Sequence, residues 1–201
     1  MITLILVRHG ETDWNIQRRL AGSTNEPMLT DLGKKQSVLL AEKLATLDVN
    51  VVYCSKLKRA IQTTEIIYKK VKRPIIFTEG LNERSWGIYE GTNSEQVFKK
   101  LDKMDINRRF NYKPKGGESW KEFEKRILVT IEEIVKKNEG KTVVLVTHGG
   151  VIRALIPVLK KVPREISLEN KIANNSLTIF KMNEGEVEEE LINDISHLES
   201  I

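Results

Sequence analysis

The feature that most constrains this chain is the alternation of short apolar runs with segments of helical length. Strands are predicted at 2–8, 49–55, 74–79 and 141–150, and two closing strands at 176–183 and 186–195. Helices are predicted between the first four, with N-cap signals at Thr30 and at the capping-box pair Ser119 and Glu122. Strands separated by helices favour a three-layer α/β/α sandwich, with a mainly parallel central sheet covered by helices on both faces.

The length and composition favour one domain. The chain has 201 residues, 40% of them hydrophobic, which is enough to bury one sizeable core. We find no internal repeat, low-complexity tract or linker. The pattern loosens over residues 92–117, where one short helix and the polar loop "NYKPKGG" are predicted. We therefore predict a single domain over 1–201, with a lid-like insertion around 92–117 near one end of the sheet.

The termini, the cysteine and the charge limit the class of protein. The first apolar run contains Thr3 and stops at Arg8, so it predicts neither a signal peptide nor a membrane span, and a cytoplasmic location is expected. The lone Cys54 lies in an apolar run, which predicts a buried thiol and no redox chemistry.

The net charge of +5 raises the question of nucleic acid. The clusters "KLKRA" and "YKKVKRP" lack interleaved aromatics, so they are interpreted as solvated helix faces. A small anionic ligand is the expected partner, and a monomer and a homodimer both stay open.

Charged and imidazole side chains follow the predicted strands. Two of the three histidines, His9 and His148, come where an apolar strand stops, and each is followed by glycine. Arg8 shares the first strand end, Arg59 begins the helix after the second, and Glu83 follows the third. Ligands of parallel sheets bind beyond the carboxyl ends of the strands, where these groups would meet. Two cations and two imidazoles at one edge favour an oxyanion ligand.

Five motifs in these regions carry a family resemblance: "LVRHGETDWN", "SKLKRAIQTTE", "LNERSWGIYEG", "KGGES" and "VTHGGVIR". Their sequence and order resemble the histidine phosphatase (phosphoglycerate mutase-like) superfamily, and the ending "NDISHLESI" is similar to that of its short bacterial phosphatases. The resemblance implies a phosphoglycerate mutase-like fold and a phosphohistidine mechanism that needs no metal or other cofactor.

The resemblance also implies roles for individual residues. His9 would be the nucleophile, Glu83 the proton donor, and His148 a catalytic phosphate ligand. The other phosphate-binding positions would be Arg8, Asn15, Gly22, Arg59 and Gly149. Ala21 departs from the family pattern, because a hydroxyl side chain is common at that position, so one polar substrate contact is missing.

Elementary chemistry agrees with these roles. An imidazole with a pKa near 6.5 has a substantial neutral fraction at neutral pH, and a carbonyl near the Gly10 turn could hold the reactive tautomer of His9. Guanidinium groups bind phosphoryl oxygens bidentately, so Arg8 and Arg59 with a protonated His148 would replace a metal. A carboxylic acid such as Glu83 can protonate the leaving oxygen and then activate water.

Hydrolysis of small phosphorylated metabolites is the preferred function, and a phosphoglycerate mutase is the main alternative. The modest gap between Glu83 and His148 favours the hydrolase, whereas Arg108 and Arg109 look like paired arginines that mutases use for a substrate carboxylate. An α-ribazole phosphatase and a non-catalytic phosphate sensor are less favoured. His9, His148 and Glu83 also form a two-histidine, one-carboxylate metal set, but Arg8 and Arg59 would repel the cation.

Overall fold

A computed structural model of the chain describes residues 1–169, 171–183 and 186–199. Residues 200 and 201, the end of the predicted domain, lie outside the described residues. The strands are β1 (Ile2–Arg8), β2 (Val51–Ser55), β3 (Ile75–Thr78), β4 (Thr142–Thr147), β5 (Leu177–Asn183) and β6 (Glu186–Asp194). The helices are α1 (Asp13–Ile16), α2 (Asp31–Ala45), α3 (Lys58–Val71), α4 (Ser94–Leu101), α5 (Ile106–Asn111), α6 (Trp120–Lys137) and α7 (Gly149–Lys160).

The strands form one sheet in the order β3-β2-β4-β1-β5-β6. The first four of these are parallel, and β5 and β6 add an antiparallel edge. The register pairs Thr3 with Thr142 and Arg8 with Thr147, so β1 and β4 end side by side. The residues that follow these two strands, His9 and His148, are therefore neighbours. The predicted mainly parallel α/β sheet is confirmed.

Helices cover both faces of the sheet because β1 alternates its apolar side chains between them. Leu4 and Leu6 belong to a core that includes Phe123 of α6 and Leu155 of α7. Ile5 and Val7 belong to a second core, which includes residues of α2 and α3. Cys54 is wholly buried in this second core, as predicted.

Local signals explain where the helices start. Thr30 caps α2 by accepting from the Gly33 amide, and Ser119 and Glu122 form the predicted capping box of α6. The prediction for 92–117 was incomplete, because the segment contains two short helices, α4 and α5, each capped by a side chain that accepts a backbone N–H. Across the described ranges, every helix is too short or too polar to cross a bilayer.

Candidate active site

The carboxyl ends of the parallel strands border a cavity of about 510 Å³. The predicted site residues that line it are Arg8, His9, Asn15, Gly22, Arg59, Glu83 and Gly149. His148 is wholly buried beside it, with its ring centroid 5.1 Å from that of His9. The folded chain thus brings together all eight residues predicted from the sequence.

The His9 ring is held in one tautomer by its two hydrogen bonds. Nδ1 lies 2.8 Å from the carbonyl oxygen of Gly10, and Arg59 Nε lies 3.2 Å from Nε2. A carbonyl can only accept and a guanidinium can only donate, so Nδ1 carries the hydrogen and Nε2 presents a lone pair. Burial, followed by the charges of Arg59 and Arg8, lowers the pKa of His9 well below 6.5. His9 is therefore a neutral imidazole with an available nitrogen at neutral pH.

The loop after β1 is fixed by three hydrogen bonds to two other parts of the chain, α3 and the loop before β5. Gly10 N donates to Thr63 Oγ1 of α3 over 3.0 Å. Asn174 Nδ2 donates to the His9 carbonyl over 3.0 Å, and Asn175 N donates to the Arg8 carbonyl over 3.0 Å. Side chains on Gly10 are excluded, because a Cβ there would lie 2.9 Å from the Gly33 carbonyl oxygen. These contacts set the direction of the His9 ring.

His148 is oriented by a hydrogen-bonded chain that begins at Asn82. Asn82 Oδ1 accepts from the amide of Lys56 and, over 2.8 Å, from the hydroxyl of Ser55. Since the hydroxyl hydrogen is used there, His148 Nε2, 2.7 Å from Ser55 Oγ, must be the donor in that pair. The other nitrogen, Nδ1, is buried with no partner among the described residues.

The charge state of His148 differs from the prediction. Burial is the largest cause, and Arg59, His9 and Arg8 add to it, so the pKa of His148 lies well below 6.5. In the free site His148 is therefore neutral rather than protonated, because a buried imidazolium would lie beside the positive charges of Arg59 and Arg8. A phosphate dianion bound beside His148 would supply the negative charge that protonation of Nδ1 requires.

The two arginines, Arg59 buried and Arg8 half-buried, are cations tied to backbone carbonyls. Arg59 donates to the carbonyls of Thr24, over 3.0 Å, and Gly22, over 2.7 Å. Arg8 donates to the carbonyl of Ile172, and its Nε is buried without a partner in the described part of the chain. Burial lowers the pKa of each guanidinium to about 10, so both stay charged at neutral pH. This wall offers donors to an anion.

Glu83 lines the same cavity and is held there by two backbone amides. Its Oε1 accepts from the amide of Arg84 over 2.8 Å, and its Oε2 accepts from the amide of Gly150 over 2.9 Å. A Cβ on Gly150 would lie only 2.1 Å from Oε1, so only glycine leaves room for this carboxylate. The start of α7 thereby holds both Glu83 and His148.

Other sequence candidates lie apart from these groups. Arg108 is exposed, and Arg109 forms an ion pair with Asp102 at 2.6 Å; neither lines the main cavity. Nε2 of His197 lies 3.0 Å from the carbonyl oxygen of Asn175. Within the ranges that the structure describes, no group of three histidine, cysteine or acidic residues could hold a metal ion.

Sequence patterns alone did not single out several residues of the site. Ser55 and Asn82 orient His148, and Arg84 and Arg153 line the cavity. Two sequence features could have indicated the arginines. Arg84 directly follows Glu83, and Arg153 is the one charged residue before Lys160 in the otherwise apolar helix α7.

Comparison with known proteins places the chain in a family. The model of the histidine phosphatase superfamily (branch 1) matches residues 4–195. A metal-independent phosphoserine phosphatase of Arabidopsis thaliana is 34% identical, over 98% of this chain and 84% of its own. A 2,3-bisphosphoglycerate-dependent phosphoglycerate mutase of Rhizobium johnstonii is 32% identical, over 90% of each chain.

A solved structure agrees with the sequence relatives. Bacillus stearothermophilus YhfR superposes with a TM-score of 0.87 and 31% identity, and the match covers 99% of this chain and 100% of that one. Both the fold and the motif order therefore lead to one conclusion: the chain belongs to the histidine phosphatase superfamily, branch 1, and is an enzyme of phosphoglycerate mutase-like fold.

Proposed function

We propose that the protein is a phosphomonoesterase that hydrolyses small phosphorylated metabolites through a phosphohistidine on His9. The observation that carries this proposal is the state of His9: an unprotonated Nε2 at a cavity wall, next to a guanidinium that already points at it. A phosphoryl group entering this space would accept the Arg59 hydrogen bond and leave the nitrogen lone pair free to attack phosphorus.

The proposed reaction has two displacements. In the first, His9 Nε2 forms a bond to phosphorus, the bond from phosphorus to the ester oxygen breaks, and Glu83 gives its proton to that oxygen. In the second, Glu83 accepts a proton from water, the water oxygen attacks phosphorus, and inorganic phosphate leaves His9. Arg8 Nε and His148 Nδ1 are buried and without partners among the described residues, which suits them to phosphoryl oxygens. Asn15, Gly22 and Gly149 would complete the phosphate pocket.

The nucleophile is tested by comparing two histidine variants. His9→Ala should lower phosphate release from p-nitrophenyl phosphate by about 10³-fold or more, because no other group provides the nucleophile. His197→Ala, which removes the histidine outside the cavity, is the control and should stay close to wild type. Activity of His9→Ala within about tenfold of wild type would overturn the proposal.

The acid is tested by the leaving group. Glu83→Gln should slow hydrolysis of alkyl phosphates much more than that of p-nitrophenyl phosphate, because nitrophenolate departs without a proton. Equal losses with both kinds of ester would contradict the role of Glu83 as proton donor.

Hydrolysis is favoured over the mutase reaction by the state of Arg108 and Arg109. One is exposed and the other is engaged with Asp102, so neither is directed to a substrate in the main cavity. The mutase stays the second candidate, because a relative of 32% identity has that name. Incubation with 3-phosphoglycerate and a trace of the bisphosphate distinguishes the two. Phosphate release supports the hydrolase, whereas isomerisation without release overturns it.

We also propose that the chain is one domain in which residues 92–117 act as a lid. Ser94 and Phe98 of α4 line the cavity, and α4 contributes Val97 and Leu101 to a small apolar cluster separate from the two main cores. Phe110 of α5 belongs to the first main core, so α4 is the part of this segment that can shift without disturbing the sheet.

A further inference from the structure

A carboxylate outside the predicted catalytic set, that of Glu90, joins two loops of the site. One of its oxygens, Oε1, accepts from the amide and from the hydroxyl of Ser23, each over 2.9 Å. The same oxygen accepts from the amide of Trp86 over 3.0 Å and from the hydroxyl of Ser85 over 3.3 Å. Hydrogen bonds to a carboxylate are stronger than those between neutral groups. Glu90 therefore ties Ser23 to the loop that contains Ser85 and Trp86.

Arg59 is held by the carbonyls on either side of Ser23. Its guanidinium donates to the carbonyl of Gly22 over 2.7 Å and to that of Thr24 over 3.0 Å. Because a guanidinium is planar, these two carbonyls fix its plane and direct Nε at the nucleophilic imidazole, which lies 3.2 Å away. Ser23 is in turn held by Glu90. The position of the carboxylate is thus transmitted through one loop to a proposed phosphate ligand.

Gly22 shows how closely Glu90 packs against this loop. The glycine has a φ of +54°, in the left-handed region, and a Cβ at this position would lie 2.4 Å from Oε1 of Glu90. A side chain at residue 22 would therefore be strained and would also push the carboxylate away. The loop and the carboxylate fit together as one unit only because this residue is glycine.

The second loop attached to Glu90 carries the proposed acid. Ser85 and Trp86 lie two and three residues after Glu83 in the chain. Glu90 therefore links the loop that holds Arg59 to the loop that holds Glu83. Phosphoryl transfer depends on such positioning, because the attacking and leaving groups must lie in line at phosphorus.

The charge of Glu90 also acts on Arg59. Burial lowers the pKa of Arg59 to about 10, and the negative charges of Glu83 and Glu90 oppose that fall. Among the described residues, those that border the cavity do not include Glu90. Glu90 can therefore influence a bound phosphate only through other groups, of which Arg59 is the nearest in this chain of contacts.

We propose that Glu90 is a positioning residue, which holds Ser23 against the loop of residues 85–86 and so orients Arg59 toward the phosphoryl group. The inference rests on the proposed function, in which Arg59 binds a phosphoryl group that His9 attacks. Glu90 itself touches neither the substrate nor the reacting atoms.

Inorganic phosphate is the probe, because it occupies the phosphate pocket without a leaving group. Glu90→Ala removes all four hydrogen bonds. It should raise the inhibition constant of phosphate against p-nitrophenyl phosphate turnover by about 10- to 100-fold, which is the effect of a misplaced binding group. Glu90→Gln keeps a carbonyl oxygen that can accept from the same donors, so its inhibition constant should stay within about fivefold of wild type.

Glu122→Ala is the matched control. Glu122 Oε2 accepts from the amide of Ser119 over 2.8 Å and from its hydroxyl over 3.0 Å, the same two groups that Glu90 binds on Ser23. This variant should lose stability in urea but keep the inhibition constant of phosphate within about twofold of wild type. Ser23→Ala removes one of the hydrogen bonds to Glu90 and should raise the constant by less than Glu90→Ala does. This milder variant keeps the inference testable if Glu90→Ala does not fold.

A double-mutant cycle with Arg59→Lys shows whether Glu90 acts through Arg59. If it does, Glu90→Ala should weaken phosphate binding by less than about threefold in the Arg59→Lys protein. An effect as large as in the wild type, or an inhibition constant unchanged in Glu90→Ala and Ser23→Ala, would overturn the inference.

Calorimetry of phosphate binding to His9→Ala protein gives the same comparison without turnover. Weaker binding when Glu90→Ala is added, restored by Glu90→Gln, supports the positioning role. That pattern in a protein whose wild type hydrolyses no ester would refute the proposed function alone. Hydrolysis that depends on His9, together with unchanged phosphate affinity in Glu90→Ala, would refute this inference alone.

Discussion

The hydrogen bond between Ser55 and His148 predicts how Ser55→Ala changes stability and turnover. Ser55 is wholly buried, and its hydroxyl donates to Asn82 Oδ1 while it accepts from Leu57 N and His148 Nε2. Ser55→Ala removes this oxygen and with it all three hydrogen bonds. Asn82 Oδ1 keeps the amide of Lys56 as a donor, so two groups lose their only acceptor at this point: the Leu57 amide and His148 Nε2.

The expected loss of stability follows from those two orphaned donors. Each buried unsatisfied group costs about 1–3 kcal/mol, so the two together should lower the free energy of unfolding of Ser55→Ala by about 2–6 kcal/mol. The loss of the acceptor also releases the His148 tautomer. Without Ser55, the hydrogen can move to Nδ1 in the free enzyme and the ring can rotate, which we expect to lower kcat by about 10- to 100-fold.

Urea unfolding and steady-state kinetics measure the two effects, and Ser167→Ala is the matched control. Ser167 is also wholly buried, but its hydroxyl has no partner in the described ranges, so that variant should be close to wild type in both assays. The ¹⁵N spectrum of the His148 ring distinguishes a change in the state of this ring from a general loss of stability. Only loss of the Nε2–H tautomer changes which ring nitrogen carries the hydrogen. Wild-type kcat together with an unchanged His148 spectrum in Ser55→Ala would refute the reasoning.

Burial also makes folding acid-sensitive: the pKa values of His9 and His148 lie below 6.5 in the folded protein, so their contribution to stability is fully present above pH 6.5 and falls as the pH drops below it. The free energy of unfolding should drop by about 1.4 kcal/mol per histidine per pH unit. Urea unfolding at pH 7.5 and 5.5 should show a smaller drop for His148→Gln than for the wild type, and equal drops would contradict this. Gly150→Ala should displace Glu83, because the new Cβ would lie 2.1 Å from Oε1, and it should slow alkyl phosphates more than p-nitrophenyl phosphate; uniform kinetics would count against this. Burial raises the pKa of Cys54 to about 12, so a thiol reagent should modify it only after unfolding, and rapid labelling of the native protein would show otherwise.

Most of the fold could be predicted because it depends on local patterns. The strand of 2–8 is marked by its apolar run, and the caps Thr30 and Ser119 mark helix starts by side-chain chemistry that acts within four residues. The helices of the insertion around 92–117 were harder to predict, because α4 and α5 have only eight and six residues. Helices this short are stabilised by packing on the rest of the protein more than by their own periodicity.

The site also has features that local sequence predicts and features that it does not. Strand ends are visible in the sequence, so His9, Arg59, Glu83 and His148 could be predicted to meet. The protonation of His148 could not, because it depends on burial and on charges that lie far away along the chain.

Hydrogen-bond partners that are distant in sequence could not be predicted either. Ser55 lies 93 positions from His148, and no residue pattern near either one indicates their hydrogen bond. Arg153 is similar, since an arginine on an apolar helix is informative only once it is known to line the cavity.

If His9 carries the phosphoryl group during turnover, rapid-quench labelling detects it as a covalent intermediate. The enzyme is mixed with a radiolabelled phosphomonoester, quenched in base during turnover, digested, and its labelled peptide identified. We expect a base-stable, acid-labile label on the peptide that contains His9. A label on another residue, or turnover at full rate with no label at any quench time, would contradict it.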